Sequence, residues 1–109
     1  MPNVDLSMLV TPELREKARS SERRGAAKDA CRARIHAVAD QVAQLNLSAA
    51  VAAGLLPGAD LETYRAGLGW IAAMRAASSA IGSDARLDPG DDANWPAVPP
   101  GVAELAARF

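Results

Sequence analysis

Residues 59 to 82 read ADLETYRAGLGWIAAMRAASSAIG, and the fold class follows from how this stretch is read. Leu61, Tyr64, Leu68, Ile71, Met74 and Ile81 recur at spacings of three, four and seven, which draws one apolar stripe down an α-helix. Asp60 is placed to cap the start by accepting a hydrogen bond from a free first-turn amide, and Gly82 to close the end in a left-handed conformation. The pattern predicts a central helix over 60–81. Gly67 and Gly69 inside it each cost up to about 1 kcal/mol relative to Ala, so they predict a bend or the close approach of another helix.

A helix striped on one side needs a cover, and the segment before it supplies one. Thr11-Pro12-Glu13 is a good helix start: Thr caps, Pro suits the first helical position, and Glu complements the positive end of the helix dipole. The reading gives one long helix over 12–45 with two unlike halves. From Leu14 to Lys28 large apolar residues are almost absent, and Ser20, Ser21 and Gly25 weaken helix propensity. From Cys31 onward, Cys31, Ile35, Val38, Val42 and Leu45 form a stripe. The second half is expected to dock and the first to project.

Asn46 to Gly54 reads as a break and restart, with Ser48 capping a short connecting helix and Gly54 ending it before Leu55-Leu56-Pro57-Gly58 turns the chain. Leu47, Val51, Leu55 and Leu56 are expected to plug the end of the hairpin. A connection this short favours antiparallel neighbours. After Gly82 the composition shifts to Asp, Pro and Gly, and Pro96, Pro99 and Pro100 force an extended course. This Pro/Asp-rich strap spans 83–101, with Trp95 and Val98 as its anchors. Gly101 then releases a terminal helix over 102–109, with Val102, Leu105, Ala106 and Phe109 on one face.

Residues 1–10 alternate only partly, and a lone strand cannot satisfy its backbone groups. They read as an extended N-terminal arm that packs on a helix or on another molecule. The fold class is therefore all-α: an antiparallel helical hairpin with a short connecting helix, a Pro-rich strap and a short C-terminal helix. Residues 11–109 form a single helical domain.

The chain has 109 residues, half of them apolar, but the excess is Ala. Burial is worth roughly 25 cal/mol per Å² of apolar surface, so an Ala-rich core is thin and invites a partner or self-association. The net charge of −1 hides an uneven distribution. Arg15, Lys17, Arg19, Arg23, Arg24, Lys28, Arg32 and Arg34 crowd the first third, whereas Asp84, Asp88, Asp91 and Asp92 cluster late. The plain reading is a solvated helix face and a solvated turn. The sharper one is an electrostatically steered contact, within one chain or between copies.

One cysteine excludes an internal disulfide framework and suits a reducing compartment. No stretch has the roughly 18 uncharged apolar residues of a membrane span, and Asp5 stands where a secretory signal would be basic. The expectation is a cytoplasmic protein without membrane attachment.

Reaction chemistry finds little support. Cys31 and His36 are five residues apart, about 500° around a helix, so they point apart, and no further Cys or His completes a zinc site. Gly67 to Ala72 has the letters of a dinucleotide-binding turn, yet it lies inside a helix rather than between a strand and a helix. The late aspartates miss the spacing of a Ca²⁺ loop. The basic third lacks stacking aromatics and is diluted by acids, which disfavours nucleic acid as a partner. No catalytic residue, cofactor site or metal ligand is assigned, and an enzyme is the least favoured class.

Two regions resemble small tail-assembly proteins of tailed phages and prophages, the tail assembly chaperones and tail fibre assembly proteins. The first is VDLSMLVTPELREKARSSERRGAAKDACRARI, a short arm ending in Thr-Pro-Glu and leading into a charged, Ala-rich helix. The second runs from Asp60 to Pro99, where Tyr64-Arg65, Leu68, Trp70 and Met74-Arg75 precede Trp95-Pro96 and Pro99, similar to a tyrosine-arginine helix followed by a WPxxP strap. The chain departs from the family pattern at residues 55–60, in place of an aspartate-tryptophan turn, and in the extension VAELAARF.

The resemblance implies no enzymatic activity and no cofactor. It implies a role in holding or positioning a tail or tail fibre polypeptide, in the cytoplasm of a bacterial host or in the particle itself. Candidate partner contacts are Leu6, Met8 and Leu9 of the arm, together with Tyr64, Trp70, Trp95 and Phe109, since large aromatics dominate interface energy. The competing class is a stand-alone helical adaptor or oligomerisation protein, and a third is a small DNA-binding regulator that uses the basic helix.

Overall fold

The computed structural model describes residues 11–109 and contains α1 (Pro12–Val38), α2 (Gln41–Ala52), α3 (Gly58–Ser83) and α4 (Val102–Ala107), with a single 3₁₀ turn at Asp92–Asn94. The arm, and with it Leu6, Met8 and Leu9, lies outside the described residues. Among the described residues the architecture is all-α, and the long helices α1 and α3 pack as the antiparallel hairpin the two stripes require. The end of α3 meets the middle of α1 at Gly82 and Arg24.

The core lies along this seam. Ala27, Cys31 and Ile35 of α1 face Trp70, Met74 and Ile81 of α3, and Trp95 closes the cluster from the strap. On α3 the buried line is Trp70, Met74, Ser78 and Ile81. Leu61, Tyr64 and Ile71 are half-buried, and Leu68, expected inside, is 51% exposed. The expected stripe is thus turned slightly about the helix axis, because Trp70 contributes more buried area than any Leu and is buried in Leu68's stead.

The long helix expected over 12–45 is two helices. Ala39 and Asp40 leave the helical region at φ −144° and −69° with ψ of 107° and 174°, and the Asp40 carboxylate accepts a hydrogen bond from the Ala43 amide at 2.8 Å. An Asp that caps the helix ahead of it competes with continuation of the helix behind it. The Gln44 side chain donates back to the Ala39 carbonyl at 2.9 Å, which satisfies an end of α1. Val42 and Leu45, expected to continue the stripe, are therefore 62% and 63% exposed, and Ala43 and Leu47 are the buried residues of α2.

The connecting helix accordingly begins at Gln41 rather than after Ser48. Its end is as expected: Gly54 has φ +70°, with Leu55 N–H bonded to Ala50 O and Gly54 N–H to Val51 O, the paired bonds of a left-handed helix cap.

Both expected caps of α3 are displaced. The helix starts at Gly58 after Pro57, and Asp60 binds Arg108 at 2.9 Å instead of capping. Gly82 lies within the right-handed helix, which runs on to Ser83. Gly82 is there because α1 passes close by: a Cβ would stand 3.1 Å from both Cα and Cγ of Arg24. Gly67 marks the approach of another helix, since a Cβ there would meet Val102 of α4 at 3.4 Å, whereas Gly69 faces open space. Of the expected strap anchors Trp95 is buried and Val98 is 39% exposed. The terminal helix is shorter than expected, ending at Ala107.

Candidate partner-binding surfaces

The α1/α3 pair has two flanks, and the sequence after Ser83 covers one of them. Trp95 inserts into the seam and its indole N–H donates to Pro89 O at 2.8 Å, while Trp70 N–H donates to Pro96 O at 3.1 Å. Buried indoles need such acceptors, and each tryptophan finds one in the strap. Arg34 of α1 fastens the strap from outside: its guanidinium binds the Asp92 carboxylate at 2.8 Å, donates to Pro89 O at 3.3 Å and lies 5.3 Å from the Trp95 ring centroid. One ion pair thus joins the basic first third to the acidic strap within the chain.

The other flank is open. A groove of about 530 Å³ runs between α1 and α3 and reaches Gln44 of α2, and none of the residues lining it comes from beyond Ser83. Arg24, Lys28 and Arg32 line it from α1 and Arg75 from α3, above a floor that includes Cys31 and Ile35. Among the described residues no Asp or Glu lines this groove. Burial pushes the Cys31 thiol above its ordinary pKa, against a smaller opposing pull from Arg75. A thiol held protonated is a poor nucleophile.

A second concavity, about 410 Å³, opens between α2, α3 and α4. It is lined by Leu47, Tyr64, Trp70, Ile71, Val102 and Leu105, with Leu45 and Leu68 exposed at its rim. Gly67 permits it, because a larger residue there would press on Val102.

Tyr64 is half-buried in the apolar concavity, Trp70 and Trp95 are interior, and Phe109 is 39% exposed at the end of the chain beyond α4. The structure brings Tyr64 and Trp70 together at the concavity and leaves Trp95 on the strap flank. Reasoning from the sequence missed Leu45 and Leu68 as surface residues, because both fit an inward stripe. It also missed the grouping of Arg24, Lys28 and Arg32, although their i, i+4, i+8 spacing on one helix face is visible in the letters. Among the described residues, no three His, Cys, Asp or Glu side chains are arranged to hold a metal ion, and no helix is long and apolar enough to cross a membrane.

No protein-family model matches this chain, and neither a curated protein nor a solved structure does.

Proposed function

We propose that this protein is a non-catalytic protein-interaction module, and that the polypeptide it holds is a tail or tail fibre component of a phage or prophage particle. The observation that carries the first half is the apolar concavity with Leu45 and Leu68 standing 63% and 51% exposed at its rim. Large aliphatic side chains gathered at a concave mouth are the usual mark of a surface that another chain covers. The second half rests on the Thr-Pro-Glu helix start, the Tyr64-Arg65 helix and the Trp95-Pro96 strap. It places the protein in the cytoplasm of a bacterial host during assembly.

The test is expression from the native operon with a tagged copy, followed by identification of what co-purifies. A tail or fibre polypeptide that is lost on Leu45→Glu with Leu68→Glu supports the proposal. Recovery of the protein with itself alone, lost through the same pair, supports instead the adaptor or oligomerisation reading, in which a second copy covers the concavity.

A further inference from the structure

We infer that the open, basic flank of the hairpin seats an acidic polypeptide segment with one apolar anchor, supplied by a partner protein. This extends the interaction reading to a second face and states the chemistry of what that face takes.

Three observations support it. Arg24, Lys28 and Arg32 succeed one another by single turns of α1, roughly 6 Å apart along the axis, and Arg75 faces the same groove from α3. Like charges at i, i+4 repel, so the row raises the free energy of the isolated chain. Elsewhere Arg19, Arg23, Arg34, Arg86 and Arg108 each bind a carboxylate at 3.2 Å or less, whereas among the described residues Arg24, Lys28 and Arg75 bind none and Arg32 approaches Asp29 only at 3.9 Å. Arg15, Lys17 and Arg65 also lack a carboxylate among the described residues but stand apart from the groove, so what marks the groove is that three such cations, Arg24, Lys28 and Arg75, meet on one face with no acid lining it among the described residues.

Ser78 adds a second mark. It is 7% exposed and lines the groove, and its hydroxyl makes no hydrogen bond among the described residues. Ser83, by contrast, donates to Ser79 O at 2.8 Å. An incoming backbone or carboxylate oxygen would give this hydroxyl a partner.

The opposite flank shows what kind of segment this hairpin accepts. There an extended, aspartate-rich strap lays one aromatic anchor on the seam and offers a carboxylate, Asp92, to an α1 arginine. The open flank repeats those terms, with an apolar floor at Cys31 and Ile35 under a cationic rim. A phosphate chain would satisfy the rim and leave the floor bare, and among the described residues no Phe, Tyr or Trp lines the groove to stack a base, His36 being the one ring there. The strap of a second copy is anchored in its own hairpin, so the occupant is a different polypeptide.

The probe is a labelled peptide of residues 84–98, DARLDPGDDANWPAV, the one segment shown to suit such a flank. Fluorescence anisotropy at low salt with the full chain should give a Kd of about 100 μM or tighter, weakening as salt rises. Lys28→Glu with Arg75→Glu, both exposed and without carboxylate partners, should weaken binding at least tenfold while far-UV circular dichroism stays unchanged. Lys17→Glu, on the part of α1 beyond the groove, should not, and a peptide with every Asp replaced by Asn should bind at least tenfold more weakly.

Absence of saturable binding below about 1 mM would overturn the inference. So would binding lost through Arg34→Ala instead of the groove pair, which would put the peptide on the strap flank. Tighter groove-dependent binding of a single-stranded 20-mer oligonucleotide would replace the polypeptide by nucleic acid. Failure here leaves the apolar concavity as the interface, and failure of the operon co-purification leaves this peptide result standing.

Discussion

Of the glycines in the described residues Gly82 has the least room for a side chain, with the Arg24 Cα 3.1 Å from where its Cβ would stand. Backbone cannot rotate away as a side-chain tip can, so Gly82→Ala must push the helices apart. The expected loss is about 1–3 kcal/mol, read as a lower urea midpoint with an unchanged slope. Gly69→Ala, facing open space on the same helix, should instead gain up to about 1 kcal/mol. The letter G is ambiguous in sequence: it supplies either a positive φ or a missing side-chain volume, and only the neighbouring helix decides which. At Gly54 the reading as a cap is correct; at Gly82 volume decides.

At Asp84 the Arg86 guanidinium and amide donate hydrogen bonds at 2.9 to 3.0 Å and hold the carboxyl at about 2, below its ordinary 3.8. A carboxyl depressed on folding adds stability above its unfolded pKa, and that contribution disappears as the pH falls through the folded one. The relevant window is therefore from 3.8 down to about 2. The pair lies at the surface, with Arg86 exposed and Asp84 only half-buried, so the stability change is small and the titration itself is the better readout. In Arg86→Ala the Asp84 carboxyl resonance should titrate at higher pH than in the parent, near the ordinary value.

Among the elements, the two long helices and their antiparallel order were legible because stripes of 3.6-residue period survive in an Ala-rich chain. The interruption at Ala39 and Asp40 was not, since the four-and-three spacing from Cys31 through Val38 to Leu45 runs straight across it. What decides there is a local competition, the Asp40 cap at 2.8 Å against one more turn of α1. The outward turn of Leu45 follows from that break, which is why the apolar rim could not be read from periodicity. The strap was legible as an extended segment from its prolines, and Trp95 as its anchor from size alone. Trp95→Ala should cost about 3–5 kcal/mol, and it should also free Arg34 from its stacked place. Near-UV circular dichroism and the thermal midpoint together should report that loss; an unchanged midpoint would mean the strap contributes nothing to holding the hairpin.

The molecule as a whole is long and flat, 74 × 28 × 16 Å, because two helices and a strap make a layer rather than a ball. Its two flanks differ in charge and cover, a property that belongs to neither helix alone and is invisible until they are paired. Protection should be graded along it. Amides of residues 13–22, whose side chains are half-buried at most and nearly all exposed, are expected to exchange with solvent deuterium well before those of residues 70–81. Equal protection would show the outer turns of α1 to be held by another molecule.

Those outer turns act as an outrigger. A rise of 1.5 Å per residue places Thr11 about 24 Å ahead of Ala27, the first buried residue of α1, and the helix needs no new nucleation there because the docked half already seeds it. The tip of α1 at Thr11 therefore stands off from the packed seam by a fixed length, set by the helix itself.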